Sequence, residues 1–473
     1  MFRKKKSTVS EDPNRNARRR LRQAEIVVCA AAVGFMALFG GKYLFMPYYD
    51  DTYAETKRAI SYNEVSTYGI EGDYLDRNGN LIFGNAAAGT GGGSAEAPMN
   101  ESYAYLLGYY RTDENTEYTY GLRGSLMKYT WLHLNKDDKG ATVTLTTDND
   151  LQNYAYELLN GQEGSITVID NDTGAILALA SHSTIDYDVN DPDSFLSDTT
   201  ADAQYRRGTF EADPPGSTFK VVTASAAVEK AQQEGLGDDY FSYYDSGTYT
   251  APGDTWTIKN YADKAYGQID LDTAMANSVN CYFANLGVTI GADTLRTMAE
   301  KFMVGKDIKI PYLCTLHSNL DVENDNLGTV AQTAFGQGNT EITPVHLCLI
   351  AAALGNNGVM MQPYIVEKVA GTHLNYYTAR QSVLSQVIDS SVADRVRQAM
   401  HAAALTYGFD EADYGMIYAK TGTAECAEDR IHSYMIGCTD SYSFCVSFNT
   451  MLSSEYLYES ARDLAAYLNT NGY

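Results

Sequence analysis

Basic residues are scarce in this chain of 473 residues: 35 lysines and arginines face 60 aspartates and glutamates, and the net charge is −25. Because phosphate binding needs a basic face, we expect no nucleic acid partner. Prolines number only ten and no segment repeats, which excludes collagen-like and solenoid architectures. The spacings HxxxH, HExxH and CxxC are missing, as are GxSxG, GxGxxG and the P-loop. We therefore expect no metal site and no cofactor.

The basic residues that exist are concentrated at the start of the chain. Residues 1–23 contain nine of them and two acids, and residues 26–46 are apolar except for Lys42. About 20 apolar residues span a bilayer, and flanking basic residues stay on its cytoplasmic side. We therefore predict a cytoplasmic tail over 1–23, a single transmembrane anchor over 24–46 and an extracytoplasmic remainder at the cell membrane. A cleaved signal peptide is the alternative, but no clear small-x-small cleavage site precedes Pro47.

Six of the seven cysteines lie beyond the predicted anchor. Disulfides persist outside the cytoplasm, so these cysteines are candidates for pairing. Buried free thiols are an equally good interpretation, and the sequence does not choose between the two.

Two regions follow the anchor. Residues 47–140 indicate a short membrane-proximal pedestal with a glycine-rich loop at 84–100, and DYLDRNGNLIF (73–83) predicts a hairpin that turns at Asn-Gly. Residues 141–473 indicate the larger domain. Its elements are a strand, a helix, a hairpin, a helical centre, three late strands and a final helix over 453–469. This order predicts an α+β fold in which an antiparallel sheet packs between helical layers.

The beginning of the larger domain has clear local signals. The stretch ATVTLTTD predicts a strand that ends at Asp148, a suitable cap for the helix that follows. We expect that helix to be closed by Gly161.

The first motif with chemical potential is STFK at 217–220, directly after PPG at 214–216. Because Pro-Pro-Gly breaks the chain and a helical pattern starts at once, Ser217 is predicted near a helix N-terminus, which favours negative charge there. Lys220 lies on the same helix face. A lysine acts as a base when burial or another cation destabilises its ammonium. A second SxxK, at 125–128, lacks the Pro-Gly start and is interpreted as a solvated turn.

The second motif is Ser278-Val279-Asn280, just after a short predicted helix. The serine hydroxyl can relay a proton, and the asparagine amide can hold a substrate carbonyl. The same spacing recurs at 61–63 and 447–449, so SxN by itself is weak evidence.

The third motif is KTGT at 420–423, on the first of the late strands. Gly422 has no side chain, so a ligand backbone can lie against the strand edge. Lys420 adds positive potential and lowers the pKa of Lys220. The backbone N–H groups of Ser217 and Thr423 can form an oxyanion hole.

The order SxxK, SxN and KTG is the motif set of the penicillin-recognising serine acyltransferases. The sequence resembles a class B penicillin-binding protein, a monofunctional peptidoglycan D,D-transpeptidase with a penicillin-binding/β-lactamase-like fold. Four stretches carry this resemblance: DPPGSTFKVVTASAAVE, residues 334–366, AKTGTAE with HSYMIGC, and DYLDRNG at 73–79. Residues 47–140 are too few for a glycosyltransferase domain, so we do not expect a bifunctional class A enzyme.

The resemblance implies a role for each motif residue. Ser217 would be the acylated nucleophile, Lys220 the general base and Ser278 a proton relay. The implied substrate ligands are Asn280, Lys420, Thr421, Gly422 and Thr423. The implied substrate is a peptidoglycan stem peptide ending in D-Ala-D-Ala, and β-lactam antibiotics would acylate the same serine.

The resemblance also implies a membrane partner, a polytopic SEDS-type glycosyltransferase. The pedestal departs from the family pattern, because Glu71-Gly72 replaces the usual Arg-Gly and Tyr74 replaces an aliphatic residue. Two other interpretations remain open at this point. One is a β-lactam-hydrolysing or β-lactam-sensing relative, and the other is a scaffold of the cell-wall machinery whose catalysis is dispensable.

Overall fold

The structure is a computed structural model, and it divides the chain into two compact units, Met1–Pro47 and Tyr48–Tyr473. The described residues are 22–24, 26–30, 33–35, 58–61, 72–85, 96–97, 100–108, 110–113, 116–119, 121–130, 140–183, 207–322, 326–425, 431–449 and 454–473. In the first unit the described residues are helical. No helix within these ranges is long and apolar enough to cross a bilayer. Most of the predicted tail, much of the anchor and most of the glycine-rich loop lie outside them.

The strands are distributed over the whole second unit. In chain order they are β1 (Arg58–Ser61), β2 (Tyr74–Leu75), β3 (Leu81–Asn85), β4 (Glu96–Ala97), β5 (Tyr110–Asp113), β6 (Thr116–Thr119), β7 (Thr142–Leu145), β8 (Gly164–Asp170), β9 (Ile176–His182), β10 (Tyr243–Asp245), β11 (Thr248–Thr250), β12 (Thr257–Lys259), β13 (Gly267–Ile269), β14 (Val359–Met361), β15 (Val366–Ala370), β16 (Asn375–Thr378), β17 (Val383–Gln386), β18 (Tyr418–Glu425), β19 (Ile431–Cys438) and β20 (Tyr442–Phe448).

The helices are concentrated between β9 and β18. In chain order they are α1 (Ala104–Leu107), α2 (Gly121–Thr130), α3 (Asn149–Leu159), α4 (Arg207–Phe210), α5 (Lys220–Glu234), α6 (Leu271–Ala276), α7 (Asn280–Ile290), α8 (Ala292–Lys301), α9 (Leu327–Ala334), α10 (Pro344–Gly355), α11 (Ser390–Thr406), α12 (Glu411–Tyr414) and α13 (Ser454–Asn471). Short 3-10 turns occur at Glu101–Tyr103, Gly216–Phe219, Asp238–Phe241 and Tyr261–Asp263.

A five-stranded antiparallel sheet forms the centre of the second unit, in the order β18–β19–β20–β8–β9. Strands β9 and β20 are buried at every residue, so both faces of the sheet are covered. Helix α10 is buried along its whole length and contacts β8, β19 and β20, while α3 and α13 contact each other and the same sheet. The predicted α+β fold with a sheet between helical layers is therefore confirmed.

A second, mixed sheet connects the two predicted regions of the unit. Its order is β16–β15–β7–β2–β3–β4, and β2 pairs with β7 in parallel. The hairpin predicted over 73–83 is confirmed as β2 and β3, with Gly79 in a left-handed conformation at the turn. The Asp76 carboxylate is fully buried and accepts hydrogen bonds from the backbone of Asn78, Asn80 and Asn149. The hairpin is thus bonded directly to the start of α3.

The local signals around α3 are mostly confirmed. Asp148 caps the helix by accepting from the backbone N–H groups of Asp150 and Leu151. The helix ends one residue earlier than predicted. Asn160 already adopts the left-handed conformation (φ 47°), and Gly161 follows it with φ 70°. Asparagine tolerates this conformation because its short polar side chain bonds locally.

The cysteines whose positions are described form no disulfide bridge. Five of them are buried: Cys281, Cys314, Cys348, Cys438 and Cys445. Burial raises the pKa of Cys281 and of Cys438 to about 12, so both thiols are inert at neutral pH. Cys426 lies outside the described residues.

Candidate active site

The first motif forms the start of a helix, as predicted. Residues Gly216–Phe219 make a 3-10 turn that continues into α5 at Lys220. The Thr218 hydroxyl donates to the Pro215 carbonyl at 2.7 Å, which fixes the turn. Thr218 and Phe219 are buried, whereas Ser217 is only half-buried and lines the cleft. The tight turn therefore presents the serine while its neighbours anchor the backbone.

The side-chain nitrogen of Lys220 lies at the centre of the site. Its side chain is fully buried, and Nζ lies 2.8 Å from Ser217 Oγ. The same nitrogen contacts the Ser278 carbonyl at 2.8 Å, Ser278 Oγ at 3.0 Å and Asn280 Oδ1 at 2.8 Å. The structure thus brings together the first two motifs, which are far apart in sequence.

Burial strongly lowers the pKa of Lys220, and the nearby charge of Lys420 lowers it further, while the Cys281 thiol acts weakly in the opposite direction. Both dominant causes disfavour the ammonium form. A neutral amine 2.8 Å from Ser217 Oγ can accept the hydroxyl proton.

The second motif sits in a tight connection between α6 and α7. Ser278 has φ 52°, an unusual conformation for a residue with a side chain. Such strain is found where surrounding structure demands it, often in active sites. Here it points both the carbonyl and the hydroxyl of Ser278 at Lys220. The Asn280 amide is also engaged, since its Nδ2 donates to the Lys259 carbonyl at 3.1 Å.

The third motif lies on β18, the edge strand of the central sheet. Lys420 is fully buried, and its Nζ contacts Ser278 Oγ at 3.1 Å and the Thr421 carbonyl at 3.0 Å. The Ser278 hydroxyl therefore lies between the two lysines. Thr421 is half-buried and Thr423 is exposed, so both side chains border the cleft.

Two glycines allow the nucleophile turn and β18 to touch. A Cβ on Gly216, where φ is 55°, would lie 2.5 Å from the Thr423 carbonyl oxygen. A Cβ on Gly422 would lie 2.5 Å from the Pro215 carbonyl oxygen and 2.9 Å from Thr218 Cγ2. Only glycine fits either position. The backbones that carry the Ser217 and Thr423 N–H groups are therefore held side by side.

Sequence reasoning missed Tyr407, which follows α11. Its hydroxyl accepts hydrogen bonds from Lys420 Nζ and from Thr421 Oγ1, both at 3.1 Å. Its ring packs against Tyr458 of α13, and its carbonyl accepts from Arg462. No local pattern marks this tyrosine, because its partners lie on β18, which follows after α12, and on the last helix.

The additional motif copies do not join the site. Ser125 lies on α2, where its hydroxyl donates to the carbonyl of Gly121 one helical turn earlier. Ser447 is buried in β20 and bonds to Ser165 of β8. The predicted solvated turn at 125–128 is wrong, since these residues are helical. The third SxN copy, at 61–63, lies mostly outside the described residues.

Comparison with known proteins places this geometry in a family. Residues 164–453, more than half of the chain, match the penicillin binding protein transpeptidase domain. The peptidoglycan D,D-transpeptidase PbpA of Mycobacterium tuberculosis is 28% identical over 317 residues, which are 63% of this chain and 63% of that relative. The alignment therefore spans less than two thirds of the relative's length.

Solved structures show the same fold. The D,D-transpeptidase domain of a peptidoglycan glycosyltransferase from Eggerthella lenta has a TM-score of 0.73 at 24% identity, with 86% of this chain and 99% of that chain covered. Penicillin-binding protein A of M. tuberculosis, solved as a penicillin G acyl-enzyme complex, has a TM-score of 0.73 at 23% identity, with 85% and 100% covered. The resemblance to class B penicillin-binding proteins is confirmed, and the chain belongs to the penicillin-binding protein transpeptidase family.

Proposed function

We propose that this chain is a serine D,D-transpeptidase that cross-links peptidoglycan through an acyl-enzyme on Ser217. The carrying observation is the fully buried Lys220, whose Nζ lies 2.8 Å from Ser217 Oγ and whose pKa is strongly lowered. This is the arrangement that turns a weak serine hydroxyl into a nucleophile. The proposed substrate is a stem peptide ending in D-Ala-D-Ala.

Acylation starts when Ser217 Oγ attacks the carbonyl between the two D-alanines and Lys220 takes the hydroxyl proton. The backbone N–H groups of Ser217 and Thr423 stabilise the oxyanion. The Ser278 hydroxyl, 3.0 Å from Lys220 and 3.1 Å from Lys420, passes its proton to the leaving amine and takes a proton from Lys220, which becomes neutral again. The C–N bond breaks, and D-alanine leaves with its new proton.

The remaining motif residues bind the substrate. The Lys420 ammonium and the hydroxyls of Thr421 and Thr423 bind the terminal carboxylate. This charged group of a D-Ala-D-Ala end accepts charge-assisted hydrogen bonds, which are stronger than neutral ones. Asn280 holds the peptide amide. The edge of β18 is open to a peptide that lies along it, and Gly422 keeps that edge close to the nucleophile turn.

Deacylation reverses these roles. An amine from a neighbouring stem peptide loses a proton to the neutral Lys220 and attacks the acyl carbonyl. The ester bond to Ser217 Oγ breaks, and the serine regains its proton as the new amide forms. A β-lactam enters the same acylation step, as supported by the relative whose structure is named a penicillin G acyl-enzyme complex.

The setting of the reaction is proposed from the sequence. The basic residues of 1–23 and the apolar run of 26–46 support a single anchor in the cell membrane with a cytoplasmic N-terminus. Residues 47–140 then form the pedestal and 141–473 the transpeptidase domain outside the cytoplasm. A SEDS-type glycosyltransferase is the proposed membrane partner, since such an enzyme supplies the glycan strand whose stem peptides are joined.

The acyl-enzyme is tested by labelling the full chain in detergent with a fluorescent penicillin. Wild type, Ser217→Ala and Ser125→Ala are compared on a denaturing gel. We expect a covalent band in wild type and in Ser125→Ala and none in Ser217→Ala. A band that persists in Ser217→Ala would remove Ser217 as the nucleophile.

Transpeptidation needs a separate measurement. The chain is incubated with a synthetic stem peptide ending in D-Ala-D-Ala and an acceptor amine, and products are identified by mass spectrometry. We expect the cross-linked amide together with released D-alanine. Hydrolysed peptide without the amide would indicate a hydrolase, and a folded chain that neither labels nor turns over would indicate a scaffold.

A further inference from the structure

A second group of titratable side chains lies behind the nucleophile turn. Glu211, Asp213 and His432 place one potential ligand atom each within 4.8 Å of one another. His432 Nδ1 lies 3.2 Å from Asp213 Oδ2, and the Tyr434 hydroxyl lies 3.5 Å from the same nitrogen. We refer to Glu211, Asp213 and His432 as the carboxylate–histidine cluster.

Buried polar atoms beside this cluster lack partners. Glu211 Oε2 makes no hydrogen bond, and neither do Nδ2 and Oδ1 of Asn449. Asn449 is only 5% exposed, and its amide lies next to the Glu211 carboxyl without the geometry of a hydrogen bond. Buried polar groups are nearly always satisfied, so unpaired atoms at one place indicate a missing ligand.

The charges around the cluster do not balance. Arg207 donates to Glu211 Oε1 at 2.8 Å and to Glu163 Oε2 at 3.2 Å, which leaves the second Glu211 oxygen unpaired. The carboxylates of Glu163, Glu211 and Asp213 therefore outnumber the one guanidinium, which leaves an excess of negative charge. A divalent cation would neutralise it.

We infer that Glu211, Asp213 and His432 bind a divalent transition-metal ion. Two carboxylate oxygens and one imidazole nitrogen suit Zn²⁺ or Mn²⁺ better than Ca²⁺ or Mg²⁺, which prefer oxygen ligands alone. The sequence does not reveal the site, because the histidine is far along the chain from both carboxylates.

Such an ion would join two parts of the catalytic cleft. Asp213 lies four residues before Ser217, and its carbonyl accepts from the backbone of Ile342. His432 pairs in the sheet with Ala424, the residue after Thr423. A bound ion therefore ties the segment that leads into the nucleophile turn to the strand beside the third motif. Its role is positional, since none of the three ligands contacts Ser217, Lys220 or Ser278 through a described hydrogen bond.

The test is Zn²⁺ binding by the chelator-treated full chain in detergent, measured in competition with a chromophoric chelator. Wild type is compared with Asp213→Asn and with Asp307→Asn. The control removes a carboxylate from the exposed pair of His317 and Asp307, whose atoms lie 2.6 Å apart. We expect one Zn²⁺ per wild-type chain, at least tenfold weaker binding by Asp213→Asn, and unchanged binding by Asp307→Asn.

A second readout keeps the test decisive if Asp213→Asn does not fold. Co²⁺ added to the wild-type chain should produce visible absorption typical of nitrogen and oxygen ligands, and Zn²⁺ should raise its unfolding temperature. Both effects should be lost in His432→Gln. Wild type that binds no Zn²⁺, or binds it equally after Asp213→Asn, would overturn the inference. None of these readouts depends on acylation, so their failure leaves the proposed transpeptidation untouched.

Discussion

At the scale of single residues, the site depends on two buried lysines that share one hydroxyl. Lys220 and Lys420 are both fully buried, and both contact Ser278 Oγ. Two ammonium groups so close together repel each other. Because Lys220 is buried and lies near the charge of Lys420, its pKa is strongly lowered. Besides its proposed role in substrate binding, the third motif thus helps to lower the pKa of the lysine in the first motif.

Lys220→Ala should reduce the rate of acylation by fluorescent penicillin by about 10²–10⁴-fold, the usual contribution of a general base. The unfolding temperature should change little. The lowered pKa means that the folded chain binds fewer protons than the unfolded chain below the ordinary lysine pKa, so Lys220 costs stability at neutral pH. That cost disappears as pH rises towards the unfolded value.

The matched control is Lys230→Ala, on the same helix, whose ammonium pairs with Glu234 at 3.4 Å near the surface. This variant should acylate like wild type. In wild type the acylation rate should rise with pH through the lowered pKa of Lys220. A pH-independent rate, or normal acylation by Lys220→Ala, would contradict the assigned role.

Tyr407→Phe should slow acylation about fivefold, the effect of losing one net hydrogen bond of about 1 kcal/mol. The phenol is a positioning residue, since it holds Lys420 and Thr421 without facing Ser217. The loss should appear mainly as weaker capture of the β-lactam, measured as the concentration dependence of labelling. Tyr414→Phe is the control, because that ring packs on Phe409 and its hydroxyl makes no described hydrogen bond to Lys420 or Thr421. An equal loss in both variants would indicate general loosening instead.

At the scale of elements, the cleft forms where the 3-10 turn before α5 packs against β18, the edge strand of the central sheet. The contact between the 3-10 turn and β18 is possible only because both sides carry glycine where the backbones meet. The 3-10 turn, rather than a regular α-helical start, brings Ser217 to this junction.

Gly422→Ala should separate the nucleophile turn from β18. Its new methyl group would lie 2.5 Å from the Pro215 carbonyl oxygen, so the strand or the turn must move. We expect a destabilisation of about 1–3 kcal/mol, as for other overpacked sites, and at least tenfold slower acylation. Gly237→Ala is the control, because nothing lies within 4 Å of its added Cβ. Normal labelling of Gly422→Ala would show that the observed contact is not needed for acylation.

Asp76→Ala should destabilise the chain by about 3 kcal/mol, measured by chemical unfolding. The buried carboxylate accepts from Asn78 N at 2.9 Å, Asn80 N at 2.7 Å and Asn80 Nδ2 at 2.9 Å, and charge-assisted hydrogen bonds of this kind are costly to lose. Asp172→Ala, in the exposed turn of the β8–β9 hairpin, should have little effect. Equal stability of the two variants would contradict the structural role of Asp76.

At the scale of the whole molecule, the proposed topology has a direct test. If the anchor ends near Lys42, a cysteine in place of Thr52 should react with a membrane-impermeant thiol reagent in intact cells. The unsubstituted chain measures the background from its own cysteines, of which Cys281, Cys314 and Cys438 are buried. Labelling that appears only after the membrane is permeabilised would reverse the proposed orientation.

Much of this molecule could be predicted from local sequence. The hairpin of β2 and β3, the cap at Asp148 and the hairpin of β8 and β9 follow from turn residues, capping side chains and hydrophobic alternation, which act over a few neighbouring residues. The three motifs were equally visible, because each is a short run of residues on one element. Their order along the chain identified the family before any contact was known.

The tertiary structure decided what lies opposite each of these elements. Three features arise only where separate elements of the fold meet. They are the left-handed conformation of Ser278, the hydrogen bond from Lys420 to the phenol of Tyr407, and the approach of Asp213 to His432. Sequence spacing carries no information about such pairs, because they form only when separate elements pack on the central sheet. The sequence therefore determined which groups are available for chemistry. Packing determined which of them are desolvated together, and desolvation is the largest cause of the lowered pKa of Lys220.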